Sequence, residues 1–322
     1  MMKRIFITGA SGCIGHYIVE SLINQTDHEL YLLVRNPDKL QFDWQNCDRI
    51  NLLTGDLQDI EEHRELLRKE INIAILAATS WGGAIEAYDI NVVKTLALLK
   101  ILNPSICEQV LYFSTASVLD RKNQLLPEAK EFGTDYIRTK YQCLSQLPQL
   151  EIADRITALF PTLVFGGDQN KPYSHLTSGL PDVIKWLDLI RCFKVDGSFH
   201  FVHGQDIAQI VTYLIQNPQT LATEENDQTI KYLVLGNQAI TVNDAIAKIC
   251  QYFNKRVYLQ INLDIWLVNI FVKLFRIQMD SWSYFSLNYR HFTYQNTITP
   301  ASFGLTNYCS TIADVMKISG LY

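Results

Sequence analysis

The chain has 322 residues, of which 48% are hydrophobic and 19% charged, a balance typical of a folded globular protein and not of a disordered one. Its 28 basic residues are outnumbered by 33 acidic ones, for a formal net charge of -5, and no basic run is longer than a dipeptide. This distribution excludes a strongly basic surface for nucleic acid, so we expect a small-molecule substrate as the partner.

The cysteines and the first residues both bear on the compartment. The seven cysteines are odd in number, widely spaced and without a C-x-x-C pair, which indicates reduced thiols. The chain begins close to the strand-like RIFITG, with no secretory leader before it. We therefore expect a cytoplasmic protein without a membrane partner.

Short apolar runs alternate with segments of helical periodicity through the first half of the chain, the pattern of β-α-β units and a parallel sheet. The runs predict six strands, near 3–8, 29–34, 48–53, 73–78, 109–115 and 155–160. The intervening segments predict helices near 13–25, 58–70, 84–102 and 134–146. This alternation describes an α/β fold with a Rossmann-type doubly wound parallel sheet, which binds ligands at the carboxyl ends of its strands.

The pattern changes after about residue 165. The stretch GGDQNKPYSHLTSGLPD is rich in Gly, Pro, Ser and Asn and predicts a loop. Later patterns predict helices near 181–191, 206–216, 242–254 and 261–276, and strands at 200–204 and 231–236. We expect a Rossmann domain at 1–165, to which 200–237 returns, and a smaller C-terminal substrate lobe formed by 166–199 and 238–322.

The most apolar segment of its length is INLDIWLVNIFVKLFRI, residues 261–277. It is short for a membrane span and is interrupted by Asp264, Asn269 and Lys273. Its polar residues recur at helical spacing, which favours a mostly buried helix with one polar stripe. A surface that lies on a membrane or on a partner is the alternative.

Three glycines follow the first predicted strand, in RIFITGASGCIGHYIVESL. Gly9, Gly12 and Gly15 lie between strand and helix, where glycine lets the backbone turn tightly and approach a pyrophosphate. The phosphate charge would then face the amides of a helix N-terminus. This context predicts a phosphate site, with close packing alone as the alternative role of the glycines.

The G-x-x-G-x-x-G spacing and a series of later motifs resemble the extended short-chain dehydrogenase/reductase superfamily, the NAD(P)-dependent epimerases, dehydratases and reductases. The motifs occur in order as TGASGCIG, GDL (55–57), LAA (76–78), Asn91, FSTASV (113–118), YIRTK (136–140), FPTLVFG (160–166) and FVHGQDIA (201–208). The resemblance covers residue 3 to about 216 and concerns only the general layout beyond that point. It implies an enzyme that binds a nicotinamide dinucleotide.

The end of the second strand bears on the choice of cofactor. Dinucleotide folds usually carry a carboxylate there for the ribose hydroxyls, but LYLLVRNPDKL ends the strand with Val34 and Arg35. An arginine can pair with a 2′-phosphate, so NADP(H) is favoured over NAD(H), with a merely solvated Arg35 as the alternative. The resemblance places Asp56 next to the adenine. It also implies a wider set of cofactor-binding residues: Gly9, Ser11, Gly12, Cys13, Ile14, Gly15, Leu57, Ala77, Ala78, Tyr136, Lys140, Pro161 and Leu163.

Tyr136 and Lys140 share one face of the predicted helix at 134–146, because they lie at i and i+4. A neighbouring ammonium lowers the pKa of a phenol, so the pair can form an acid-base centre. The resemblance adds that Lys140 holds the nicotinamide ribose and that Thr115 binds the substrate oxygen, with Ser117 and Ser114 as alternatives. Hydride would pass between nicotinamide C4 and a carbinol or carbonyl carbon while Tyr136 moves the proton.

Departures from the family pattern narrow the expected substrate. Ala116 and Ser117 replace the Asp-Glu pair of the family's sugar dehydratases, so dehydration is not expected. Phe160 replaces the arginine that commonly precedes the proline of the sixth strand, which weakens a nucleotide-sugar assignment. Substrate should enter beside the fourth strand and the following loop, which gives four expected substrate-binding residues: Trp81, Ser117, Tyr173 and His175.

These features predict an NADP(H)-dependent oxidoreductase acting on a carbonyl or a secondary alcohol. A sugar epimerase that holds NAD(P) tightly is the alternative among enzymes, and a dinucleotide-sensing regulatory protein is the alternative outside them. No metal is expected, because His200 and His203 face unlike directions along a strand. Many relatives pair the helices equivalent to 84–102 and 134–146 between subunits, so the resemblance also implies a homodimer.

Overall fold

The computed structural model describes residues 2–221, 229–258, 260–264 and 278–321. Its strands, in chain order, are β1 (Arg4–Thr8), β2 (Glu29–Val34), β3 (Ile50–Thr54), β4 (Ile73–Leu76), β5 (Gln109–Phe113), β6 (Ile156–Pro161), β7 (Leu163–Phe165), β8 (Phe193–Lys194), β9 (Ser198–Phe199), β10 (Phe201–His203), β11 (Lys231–Leu235), β12 (Ile240–Thr241), β13 (Ile261–Asn262) and β14 (His291–Phe292).

The α-helices are α1 (Cys13–Gln25), α2 (Arg64–Lys69), α3 (Gly83–Tyr88), α4 (Thr95–Ile101), α5 (Pro127–Glu131), α6 (Asp135–Leu144), α7 (His175–Lys185), α8 (Leu187–Ile190), α9 (Gly204–Gln216), α10 (Val242–Tyr252), α11 (Ser281–Tyr289) and α12 (Ile312–Ile318). Short 3₁₀ helices lie at Pro37–Lys39, Leu57–His63, Ala116–Val118, Leu147–Gln149, Ala153–Arg155, Pro218–Leu221 and Pro300–Phe303.

Seven parallel strands form the central sheet, in the order β11-β6-β5-β4-β1-β2-β3. The predicted doubly wound fold is therefore confirmed, and the strand predicted at 231–236 joins the sheet beside β6. The strand order reverses between β1 and β4. Such a switch point opens a crevice at the carboxyl ends of the strands, which is where the glycine turn lies.

Helices cover both faces of the sheet because its strands are apolar on both sides. One core cluster joins α1 and α9 to the sheet, with Ile18, Leu22 and Leu214 fully buried. A second cluster on the other face includes Leu67 and Leu144. A third cluster joins α7, α8, α10 and α12 away from the sheet. The boundaries of the two predicted lobes stay a prediction.

The helix predicted at 84–102 is interrupted. A π-helical turn, Asp89–Lys94, separates α3 from α4. Asn91 lies in this turn, fully buried, and its side chain makes hydrogen bonds to Thr79, Ser80 and Thr139. The regular helix is interrupted at Asn91, whose buried side-chain amide has its hydrogen-bond partners outside the helix. π-turns of this kind are frequent at functional sites.

The loop predicted from Gly166 onward and the helix predicted near 181–191 require correction. The first helix after this point, α7, begins at His175, and α8 follows at Leu187–Ile190. The Ser174 side chain accepts a hydrogen bond from the Thr177 amide and caps α7, while Thr177 and Leu180 are buried. Capping and burial on one face outweigh the helix-breaking tendency of Gly179 and Pro181.

The predicted helix at 261–276 is wrong at its start, where Ile261–Asn262 pairs with Phe193–Lys194 as a short strand. Residues 265–277 lie outside the described residues. Within the parts of the chain that the structure describes, no helix is long and apolar enough to cross a bilayer.

Candidate active site

One cavity of about 860 Å³ lies along the carboxyl ends of the central strands. Every residue that the sequence predicted for cofactor, chemistry or substrate borders it; whether each performs its predicted role stays a prediction. These residues are Gly9, Ser11, Gly12, Cys13, Ile14, Gly15, Arg35, Asp56, Leu57, Ala77, Ala78, Trp81, Thr115, Ser117, Tyr136, Lys140, Pro161, Leu163, Tyr173 and His175.

The glycine turn forms one end of the cavity. Gly9 has φ +80°, and a Cβ there would lie 2.6 Å from the Ala77 carbonyl carbon. A Cβ on Gly15 would lie 2.0 Å from the Gly9 oxygen, so both positions exclude a side chain. Gly12 precedes α1, whose first turn has no side-chain cap. The amides of that turn are therefore available for a phosphate at the positive end of the helix dipole.

Arg35 extends from the end of β2 and is 75% exposed at its side chain. Its Nη1 lies 3.7 Å from Asp56 Oδ2, and Asp56 also accepts a hydrogen bond from the Gln58 amide. An exposed pair at this distance is weak, so the guanidinium can turn toward a ligand at little cost.

Lys39 also lines the cavity, and the sequence analysis missed it. The Asn36 side chain accepts a hydrogen bond from the Asp38 amide and caps the turn Pro37–Lys39, which brings Lys39 back toward the cavity. The Asn-Pro dipeptide after Arg35 was the signal for this turn. Two cations thus border the cavity beside the end of β2.

The predicted reaction centre lies at α6 and the end of β5. Thr134 caps α6, and its hydroxyl oxygen accepts a hydrogen bond from the Ile137 amide at 3.3 Å. Tyr136 and Thr115 both border the cavity, and the Thr115 side chain is close enough to favour the phenolate form of Tyr136. Lys140 is buried, and its Nζ donates to the Phe113 carbonyl at 2.8 Å. The three predicted reactive side chains therefore come together from two different elements.

The expected lowering of the Tyr136 pKa is wrong in this structure. Burial raises the pKa of Tyr136 to about 12, and the nearby Thr115 side chain opposes that rise. Burial also lowers the pKa of Lys140 to about 8. The Lys140 ammonium is bound to the Phe113 carbonyl, so desolvation rather than the neighbouring charge decides the pKa of the phenol.

Trp81 covers the phenol ring of Tyr136. The two ring centroids are 3.8 Å apart with an interplanar angle of 15°, and the His175 ring meets the Trp81 ring edge-on at 5.1 Å. Trp81 is nevertheless 58% exposed, so it forms a wall of the cavity and does not cap the core. Asn91 fixes the turn below it, accepting a hydrogen bond from the Ser80 amide at 2.9 Å and donating one to the Ser80 carbonyl at 3.0 Å.

Charge is unevenly distributed around the cavity. Among the lining residues that the structure describes, the cations are Arg35 and Lys39 at one end and Lys140 at the centre. Glu86 lies beside Trp81, and its Oε1 accepts a hydrogen bond from the Ser80 hydroxyl at 2.7 Å. The end that carries Trp81 is therefore aromatic and acidic.

The cavity fits an extended dinucleotide. Ser114 is buried and lines the cavity, and its Oγ has no hydrogen-bond partner within the described residues. The first turn of α1 at one end, Ser114 and Lys140 in the middle, and Arg35 to the side offer donors along one continuous space. A buried hydroxyl without a partner indicates that a ligand completes its bonding.

Comparisons with known proteins agree with this arrangement. A model of the NAD dependent epimerase/dehydratase family matches residues 5–228. WbmG from Bordetella bronchiseptica, solved in complex with NAD, is 15% identical, with TM-score 0.66, over 100% of this chain and 94% of that one. The dTDP-glucose 4,6-dehydratase of Bacillus anthracis, in complex with NAD, is 13% identical, with TM-score 0.64, over 99% and 96%.

A UDP-N-acetylglucosamine 4-epimerase from Methanobrevibacter ruminantium is 18% identical, with TM-score 0.55, over 82% of this chain and 86% of that one. At these identities the likeness shows a shared fold only. No curated protein matches the chain.

Proposed function

Because the chain belongs to the NAD dependent epimerase/dehydratase family, enzymes of the extended short-chain dehydrogenase type, we propose that it is an NADP(H)-dependent oxidoreductase. It transfers a hydride to or from a carbonyl or secondary alcohol carbon. The observation that carries this proposal is the arrangement of Tyr136, Lys140 and Thr115, which all border the cavity, the first two from the same helix.

The bound nicotinamide would supply the hydride chemistry. With a pKa raised to about 12, Tyr136 is a protonated phenol at neutral pH, which suits it to donate a proton to a carbonyl oxygen as that oxygen gains charge. Thr115 orients that oxygen, with Ser117 as the other candidate. Lys140 holds the ribose, and the pKa of about 8 leaves most of its ammonium charged at pH 7.

The preference for NADP(H) rests on Arg35 and Lys39. Both line the cavity beside the end of β2, where a 2′-phosphate would lie, and two cations suit a dianionic group better than a ribose hydroxyl. Asp56 is the one nearby carboxylate in the described lining, and Arg35 lies 3.7 Å from it.

The substrate is a neutral molecule with apolar parts. Trp81 and His175 form an aromatic wall next to Tyr136, and Glu86 adds a negative charge there. A diphosphate at this end would lie beside the Glu86 carboxylate, whereas Arg35 and Lys39 border the cavity at the end of β2, so a nucleotide sugar fits poorly. A sugar epimerase is the second candidate, favoured by the description of the matching family.

We also propose that the protein forms a homodimer through α3, α4 and α6. Ile85, Tyr88 and Val93 are exposed apolar side chains in the region of α3 and the π-helical turn, and α3 packs beside α6 in the protomer. Burial of these side chains against a second copy would remove an apolar surface from water.

The decisive experiment replaces Tyr136 by Phe. Phenylalanine retains the ring that stacks on Trp81 but removes the proton, so carbonyl-dependent oxidation of NADPH should fall by about a hundredfold or more. The measurement is a screen of ketones and aldehydes by NADPH absorbance, together with the dissociation constant for NADPH, which should stay unchanged.

Tyr141→Phe is the matched control, since Tyr141 lies on the same helix and does not line the cavity. Full turnover in the Tyr136→Phe variant would refute the acid-base role. Release of stoichiometric NAD from the purified wild-type protein, without NADPH oxidation by any carbonyl compound, would instead support the epimerase.

A further inference from the structure

Six large apolar side chains are exposed on the outer side of α7 and α8 and on the segment that precedes β13. We call this surface the α8 patch, formed by Val183, Trp186, Leu189, Val257, Tyr258 and Ile261. The relative exposures of Trp186, Tyr258 and Ile261 are 55%, 71% and 57%. Isolated exposed apolar side chains are ordinary, but a cluster of this size marks a binding surface.

The two segments share one surface. The Arg191 guanidinium lies 5.8 Å from the centre of the Tyr258 ring, and Lys255 Nζ forms an ion pair with Asp188 at 2.6 Å. The Ile261 amide donates to the Cys192 carbonyl at 2.9 Å. These contacts hold residues 255–258 and 260–262 alongside α8, so the apolar side chains of both segments belong to a single patch.

The exposure of the patch follows from the helical spacing. Val183, Trp186 and Leu189 recur at intervals of three and face outward together. Leu180 and Leu187 point the other way and are buried in the core of α10 and α12. The inner face of α7 and α8 is therefore already packed against the core, whereas their outer face is an additional, exposed apolar surface.

The segments that form the patch contain more basic than acidic residues. Residues 182–194 and 255–264 contain five basic residues against three acidic ones, although the whole chain carries a net charge of -5. One acid, Asp188, is neutralised by Lys255 and Arg191. The remaining charged residues are three cations, Lys185, Lys194 and Arg256, and two acids, Asp182 and Asp264, all of them exposed.

We propose that the α8 patch docks on an anionic lipid surface. Exposed Trp and Tyr are suited to the boundary between acyl chains and headgroups, and lysines can extend from an apolar surface to reach lipid phosphates. The segments that form the patch carry an excess of cations in a chain of net charge -5, so their charge complements anionic headgroups. This proposal departs from the sequence-based expectation that the protein has no membrane partner.

The test is cosedimentation of the full-length protein with vesicles. Vesicles of phosphatidylcholine alone are compared with an equimolar mixture of phosphatidylcholine and phosphatidylglycerol. Binding to the mixed vesicles should be about tenfold tighter or more, because each cation near an anionic surface contributes, and added salt should weaken it.

Two variants and their controls locate the surface. Trp186→Ser/Leu189→Ser should remove binding, whereas Tyr284→Ser/Leu305→Ser removes exposed apolar side chains elsewhere and should bind like the wild type. Lys185→Glu/Arg256→Glu should lose the preference for phosphatidylglycerol, and Lys100→Glu/Lys122→Glu, which changes exposed lysines outside the patch, should retain it. Circular dichroism checks that each variant is folded.

Failure of the wild type to bind either vesicle would overturn the proposal, as would equal binding by the patch variants and their controls. A wild-type dimer in gel filtration that Trp186→Ser/Leu189→Ser converts to a monomer, without lipid binding, would also overturn it and make the patch an interface between two copies. Neither result would bear on NADPH oxidation, so this test is independent of the proposed reaction.

Discussion

Arg35 and Lys39 lie on opposite sides of a short capped turn and border the same end of the cavity. Asp56 is the single nearby carboxylate among the described residues that line the cavity. Neither cation is buried, so each contributes through its distance from a ligand rather than through desolvation. The proposed preference for NADP(H) over NAD(H) therefore depends on two exposed side chains.

The first prediction concerns these cations. Wild-type protein should bind NADPH at least about tenfold tighter than NADH, or about 1.4 kcal/mol, at one salt concentration. Arg35→Ser should remove most of this difference by weakening NADPH binding alone, because NADH has no 2′-phosphate to lose. Fluorescence titration with both dinucleotides measures the effect.

Arg64→Ser is the matched control, since Arg64 is also an exposed arginine in an ion pair but does not line the cavity. Equal binding of NADPH and NADH by the wild type would exclude Arg35 from the cofactor site and would raise the epimerase alternative.

At the scale of elements, the turn between β1 and α1 separates two kinds of glycine. Gly15 has no room for a Cβ, because the Gly9 oxygen would lie 2.0 Å away. Gly12 has extended backbone angles, and a Cβ there would meet only the Gly9 oxygen, at 3.4 Å. Packing therefore requires glycine at position 15, whereas Gly12 borders the space in which a phosphate would lie.

Gly15→Ala should lower the free energy of unfolding by about 3 kcal/mol or more, because α1 must move away from β1. Gly12→Ala should change stability by no more than about 1 kcal/mol but should weaken NADPH binding about tenfold, because the methyl group would occupy the approach of the pyrophosphate. Urea denaturation and NADPH titration of both variants measure the two effects. Tight NADPH binding by a folded Gly12→Ala protein would contradict a phosphate site at this turn.

At the scale of the whole molecule, Asp206 connects the sheet domain to the C-terminal residues. It lies in the first turn of α9, and its carboxylate accepts hydrogen bonds from the amides of Tyr308 and Cys309 at 2.6 and 3.1 Å. The side chain of Asn237 donates to the Cys309 carbonyl at 2.9 Å and completes this attachment. Burial raises the pKa of Asp206 to about 6.

This raised pKa predicts a pH-dependent contribution to stability. Protonation of Asp206 favours the folded state, so the contribution is fully present below pH 4 and is lost as the pH rises through about 6. The stability advantage of the wild type over Asp206→Asn should therefore shrink by on the order of 2 kcal/mol between pH 4.5 and pH 7.5. Urea denaturation at the two pH values measures it.

The buried His203, whose pKa burial lowers to about 4, is present in both proteins and cancels in the comparison. If the stability advantage of the wild type over Asp206→Asn stayed constant or grew with pH, the Asp206 carboxylate would be charged throughout, stabilised by its two amide donors.

Local sequence patterns predicted the parallel sheet, the glycine turn after β1 and the placement of Tyr136 and Lys140 on one helix. These features depend on contacts between near neighbours: alternating apolar runs, glycines between a strand and a helix, and an i to i+4 spacing. All the predicted site residues border one cavity for the same reason, since parallel strands end at one edge of a sheet.

The environment of each side chain, in contrast, depends on contacts between segments that are far apart in the chain. Burial raised the pKa of Tyr136 although a lysine lies one turn away, and Asn91 opened a helix whose sequence pattern is continuous. Residues Gly179 and Pro181 remained helical because α7 packs through Leu180 onto a core built from distant segments. Desolvation and packing sum over residues that are far apart in the chain, so no local pattern specifies them.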